Sequence, residues 1–124
     1  MTQERALISV VDDDESVRES LPDLIREFGH DASAFSSAEE FLASDHLRLT
    51  RCLVIDIAMP GMSGLDLQRE LYRRDHRIPI VFITAHGDEH LRTRLRQSGA
   101  VECLLKPFSD TALQAALTRA LQSE

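Results

Sequence analysis

Cys52-Leu53-Val54-Ile55-Asp56-Ile57-Ala58-Met59-Pro60-Gly61-Met62-Ser63-Gly64 is the stretch from which the rest of the chain is read. Leu53-Val54-Ile55 is a short unbroken apolar run, the pattern of a strand buried on both faces. It ends in an acid, Asp56. Met59 to Gly64 follows as a loop rich in turn formers. A carboxylate at the carboxyl end of a central parallel strand sits at the ligand-binding edge of an open α/β sheet.

Four further strands with following helices are expected around it. Leu7 to Val11 is an apolar run that ends in Asp12 and Asp13, and an amphipathic helix covers 16–28, with Gly29 placed to stop it. Ala32 to Phe35 is a short strand. Ser36 and Ser37, followed by Glu39 and Glu40, give two overlapping capping signals for a helix that runs to about Ala43. Asp45 to Arg51 reads as a polar connection. Ser63 or Gly64 opens a third helix, with Leu67 and Leu71 inward, ending near Arg74. Pro79 to Thr84 is the fourth strand, and Asp88 caps a fourth helix that Gly99 stops. Glu102 to Leu105 is the fifth strand. Ser109 caps the last helix, whose inner stripe is Leu113, Ala116, Leu117, Ala120 and Leu121. Short connections and right-handed crossovers make these five units a doubly wound α/β fold, a parallel sheet with helices on both faces.

Composition narrows the function. The 124 residues fit one domain, and 43% are hydrophobic, enough for an ordinary core. With 14 basic and 21 acidic residues the net charge is −7, which argues against non-specific nucleic-acid binding by this chain as a whole, and no direct nucleic-acid binding is expected of it. Glu4 and Arg5 interrupt the start, so no signal peptide is expected, and no apolar run is long enough to span a membrane. Cys52 and Cys103 lie on two of the strands without metal-like spacing. They read as buried thiols of a reducing cytoplasm.

Four of the five strands end in a chemically capable residue: Asp12 and Asp13, Asp56, Thr84 and Lys106. The carboxyl ends of central strands share one crevice. Carboxylates that close repel, and a divalent cation resolves the conflict. Oxygen donors without thiolate or imidazole favour a hard ion, Mg²⁺ or as an alternative Mn²⁺. With that charge screened, Asp56 is a carboxylate nucleophile toward phosphorus. Asp14 and Glu15 read instead as a solvated acidic helix start.

Val11-Asp12-Asp13, Ile55-Asp56, Met59 to Gly64, Thr84-Ala85-His86-Gly87-Asp88, Gly99-Ala100 and Lys106-Pro107-Phe108 together resemble the receiver domain of two-component response regulators. The likeness is to the CheY-like superfamily and within it to the FixJ-type branch. It covers Leu7 to about Gln122, so 1–124 is taken as a single receiver domain. The resemblance implies a flavodoxin-like, three-layer (βα)5 fold with strand order 2-1-3-4-5. It also implies a phosphoacceptor that assists its own phosphotransfer and dephosphorylation but is not a turnover enzyme. Asp56 would take a phosphoryl group from a histidine kinase or phosphotransfer protein. Asp13, Asp56 and the Ala58 carbonyl would hold Mg²⁺, with Asp12 acting through water. Lys106 would pair with a phosphoryl oxygen, and the Ala58 and Ala85 N–H groups would donate. Thr84 would act as the switch, Ala58 and His86 would tune dephosphorylation, and the Lys106–Pro107 bond would be cis.

Two departures stand out. The family usually carries Tyr or Phe three residues before the lysine, and here that position is Cys103. A thiol cannot fill the ring's volume, so readout through the 84–88 loop and the fourth helix is expected instead. That helix carries His90, Arg92, Arg94 and Arg96, either a solvated basic face or a partner or dimer surface on the helix 4–strand 5–helix 5 side. The chain reads as a stand-alone receiver or as the receiver half of a FixJ-like transcription factor, with any DNA binding lying elsewhere. A phosphatase with an aspartyl-phosphate intermediate is disfavoured by Ala58, where those enzymes carry a second acid. A flavin protein is disfavoured because no phosphate-cradling loop follows the first strand.

Overall fold

A computed structural model describes residues 5–85 and 89–122. Five parallel strands, β1 (Leu7–Val11), β2 (Asp31–Phe35), β3 (Thr50–Asp56), β4 (Ile80–Thr84) and β5 (Glu102–Leu105), form one sheet in the order β2-β1-β3-β4-β5. The helices are α1 (Glu15–Glu27), α2 (Ala38–Leu42), α3 (Gly64–Arg73), α4 (Glu89–Gln97) and α5 (Asp110–Gln122). The doubly wound fold expected from the sequence is the fold observed.

Strand alternation divides the core in two. Leu53 and Ile55 of β3 join Phe41, Leu67, Leu71, Phe82 and Leu95 in one cluster. Cys52 and Val54 join Leu21, Ile25, Leu113 and Leu117 in the other, under α1 and α5. Successive residues point to opposite faces, so a strand covered on both sides is apolar throughout. Cys52 and Cys103 are both fully buried, one in each cluster.

The helix boundaries follow their caps. Asp14 accepts from the Ser16 N–H and caps α1, and Gly29, at φ +96°, ends it. Ser109 Oγ accepts from the Ala112 N–H at 3.0 Å at the start of α5. Ser37, not Ser36, caps α2: its hydroxyl accepts from the Glu40 N–H at 3.1 Å, while the Glu40 carboxylate reaches back to the Ser36 N–H at 2.9 Å. Asp88, the expected cap of α4, lies outside the described residues.

The segment expected to be a polar connection differs most. Asp45–Arg48 forms a 3₁₀ turn with Leu47 buried, and β3 begins already at Thr50. The pairing with β1 slips here, so that Leu7 faces Thr50 and Ile8 faces Cys52, leaving Arg51 as the extra, exposed residue. The buried Thr50 and Ser9 hydroxyls satisfy one another at 2.7 Å, and Thr50 also donates to the His46 carbonyl. Polar residues thus open a buried strand because each has a partner.

Candidate functional site

Sheet register assembles the site. Val11 pairs with Ile55, so Asp12 and Asp56 leave neighbouring strands at the same level. Asp56 pairs with Ile83, and Thr84 with Leu105, which sets Thr84 and Lys106 one step further along the same edge. Backbone bonds carry the alignment past the strands: Asp12 N–H to the Phe35 carbonyl at 3.1 Å, Ile57 N–H to Ile83 at 3.1 Å, and Lys106 N–H to Thr84 at 2.8 Å.

The carboxylates of Asp12, Asp13 and Asp56 each bring an oxygen within 4.8 Å of the others. Asp12 is fully buried and both its oxygens are engaged. Oδ1 accepts from the Asp14 N–H at 2.9 Å, and Oδ2 accepts from Lys106 Nζ at 3.0 Å. Asp56 is 7% exposed, with Lys106 Nζ 3.8 Å from its Oδ2 and the Ala58 N–H donating to its carboxylate. Asp13 is exposed to solvent.

These environments set the charges. Burial, with the Asp12 charge next and that of Asp13 as a smaller contribution, pushes the Asp56 pKa up to about 6, against the opposing pull of Lys106 and the Ala58 N–H. Burial alone lowers the Lys106 pKa, but its bond to Asp12 and the charges of Asp12, Asp56 and Asp14 outweigh that and raise it. One cation therefore serves a crowded set of carboxylates. Three oxygen donors within reach of one another, without imidazole or thiolate, suit a small hard cation.

The remaining predicted residues fall around this crevice. Thr84 is buried at the end of β4, Ala58 and Ala85 are exposed on the loops after β3 and β4, and the Lys106–Pro107 peptide is cis. Cys103 is buried in the core cluster that holds Leu91 and Leu95 of α4. His86 lies outside the described residues. Of the basic residues on α4, Arg96 pairs with Glu102 at 3.2 Å and Arg92 lies 3.7 Å from Glu89, while His90 and Arg94 are exposed. Glu102 also holds Arg119 of α5 at 3.1 Å.

Three supporting roles escaped the sequence reading. A Cβ on Gly64 would lie 2.7 Å from the Asp56 carbonyl oxygen, so glycine lets α3 start directly against the strand that carries Asp56. Glu39 of α2 accepts from the Met62 N–H at 3.3 Å and steadies the loop after β3. Arg18 Nη1 donates to the Asp12 carbonyl at 3.0 Å and ties α1 to the acidic loop. Gly64 had a signal in its place at a helix start. Glu39 was read only as a helix-start acid and Arg18 had no signal, because the contacts they make here depend on packing.

A doubly wound sheet with three acids, a threonine and a lysine on one edge is the architecture of a receiver domain. The chain belongs to the response regulator receiver domain family, whose sequence profile matches residues 8–118. It is 46% identical over 120 residues to nodulation protein W of Bradyrhizobium diazoefficiens, covering 97% of this chain and 53% of that protein. It is 39% identical over 122 residues to response regulator protein TodT of Pseudomonas putida, covering 98% of this chain and 54% of TodT. The crystal structure of FixJ-N superposes with a TM-score of 0.86 at 36% identity, covering 98% of each chain. The chain spans about half the length of the curated relatives it matches. Among the described residues, no helix is long and apolar enough to cross a membrane.

Proposed function

We propose that Asp56 is the phosphoacceptor of a signalling receiver unit spanning about residues 7–122. The observation that carries this is the register that sets a largely buried Asp56 beside Asp12, Asp13 and Lys106. Asp13, Asp56 and the Ala58 carbonyl would hold Mg²⁺, with Asp12 acting through water, since both Asp12 oxygens already accept protein hydrogen bonds. The ion, when bound, neutralises charge on the carboxylates and on the incoming phosphoryl group.

The reaction is a displacement at phosphorus. An Asp56 carboxylate oxygen forms the new O–P bond as the donor's N–P bond breaks, and the donor imidazole leaves with the electron pair. Lys106 pairs with a phosphoryl oxygen, and the Ala58 and Ala85 N–H groups donate to others. Thr84 turns its hydroxyl toward the phosphoryl group and passes the change to α4. Water later attacks phosphorus, the Asp56–phosphorus linkage breaks and inorganic phosphate departs. Ala58 and His86, two residues past Asp56 and Thr84 in the sequence, tune the rate of that step.

A sensor histidine kinase or phosphotransfer protein is the donor, and the unit works in the cytoplasm. Output passes through the α4–β5–α5 surface to a partner or a second copy. Fusion to a DNA-binding module is supported by relatives whose names call them transcriptional regulatory proteins and by their greater length.

Incubation with acetyl phosphate and Mg²⁺, read by intact mass, tests the proposal. One phosphoryl adduct that disappears without Mg²⁺ and in Asp56→Asn is expected. An adduct that persists in Asp56→Asn, or none in the folded, metal-loaded wild type, overturns it.

A further inference from the structure

Cys103 stands where the family usually places a ring, and a thiol is much smaller than that ring. Cys103 is nonetheless fully buried. α4 packs on β5, and Leu91 and Leu95 share a core cluster with Phe82 and Cys103. Arg92 follows Leu91, and its side chain is only 28% exposed. Its Nε is cut off from solvent and has no hydrogen-bond partner among the described residues. One helical turn on, Arg96 Nε donates to Glu102 Oε1 at 3.3 Å, and Glu102 immediately precedes Cys103. Residues four apart share a helix face, so Arg92 lies one turn beyond Arg96, over the β5 residues that follow Glu102. The electrostatics agree: burial raises the Cys103 pKa, and the leading opposing influence is the Arg92 charge.

A buried N–H without an acceptor is costly, so its surroundings favour any rearrangement that frees it. A long, flexible, charged side chain reaches water by rotation alone. Building on Asp56 as phosphoacceptor, we propose that Arg92 replaces the ring: its side chain covers Cys103 in the unmodified protein and swings into solvent when Asp56 is modified. Arg92 thereby carries the change at Asp56 to the α4–β5 surface.

The direct test follows the Arg92 Nε–H signal by nitrogen-15 NMR of the whole chain, assigned by its loss in Arg92→Lys. Beryllium fluoride with Mg²⁺ serves as the phosphoryl mimic. Expected are slow solvent exchange in the free protein and acceleration by about tenfold or more when the mimic binds. If the Asp56 and Ala58 amides respond and the Arg92 signal does not, the proposal fails and the phosphoacceptor reading stands. If the mimic leaves the Asp56 and Ala58 amides unchanged, the phosphoacceptor reading fails and this proposal with it.

A double-mutant cycle tests the shared volume without any phosphoryl group. Cys103→Phe alone should lower the unfolding midpoint, and Arg92→Ala in the same chain should restore at least about half of the loss. Additive effects overturn the proposal. Should Cys103→Phe fail to fold, folding of the double variant supports the proposal, and its failure overturns it.

Discussion

The Asp56 pocket and the α4–β5 surface are built by different means. In the pocket, Asp12, Asp56, Thr84 and Lys106 are placed by backbone register at the ends of four adjacent strands. At the α4–β5 surface, long side chains reach between elements: Arg96 of α4 and Arg119 of α5 meet on Glu102, and Arg92 leans on its own helix. A register-set site tolerates little change, because moving one residue moves a strand. A surface set by side chains can exchange a ring for a thiol and an arginine while the sheet stays as it is. The pocket accordingly follows the receiver pattern, and the surface departs from it at Cys103.

The pocket should therefore be the more sensitive region, and Gly64→Ala is the harshest test. The added methyl meets backbone at 2.7 Å, so one element must shift. A loss of about 3 kcal/mol in denaturant unfolding is expected. Lys106→Ala comes next, since it leaves the fully buried Asp12 without its cation. Because the lysine itself is partly exposed, a loss of about 2–3 kcal/mol is expected, with Mg²⁺ recovering part of it.

Asp56→Asn should move stability the other way. The Asp56 pKa rises from 3.8 in a free carboxyl to about 6 in the folded chain, so its ionisation opposes folding. Below pH 4 the group is protonated in both states and the penalty is absent. It develops as pH rises from 4 toward 6 and is complete above that. Metal-free Asp56→Asn should exceed the wild type by about 2 kcal/mol at pH 7, converge with it near pH 4, and lose its advantage when Mg²⁺ is added. Unfolding curves across that pH range check the sign.

The smallest effect is expected at the surface. Glu102→Gln weakens the pairs to Arg96 and Arg119, whose side chains are 48% and 60% exposed, and should cost no more than about 1 kcal/mol in thermal unfolding. A loss as large as that of Gly64→Ala would erase the distinction between the two regions.

The same distinction explains what the sequence made legible. Strand-end acids, the lysine before Pro107 and the apolar stripes are local signals from which the doubly wound sheet and its shared crevice follow, while the strand order and the residue roles came with the family resemblance. The start of β3 was hidden because Thr50 and Ser9 are polar and become buried only through each other. The loop contact of Glu39 and the bond of Arg18 were hidden because their partners, a donor and an acceptor, lie 23 and 6 residues away, across packed elements. Arg92 was visible as one charge of a basic helix, and only the structure separates it from Arg94 by its buried Nε.

The most direct test of the central assignment is borohydride trapping after reaction with acetyl phosphate and Mg²⁺. Reduction converts an aspartyl phosphate to homoserine, and fragment mass spectrometry then reads the modified position. Homoserine at position 56, with Asp12 and Asp13 intact, is the predicted result. Homoserine at position 12 or 13, or on a carboxylate outside the pocket, would contradict the account.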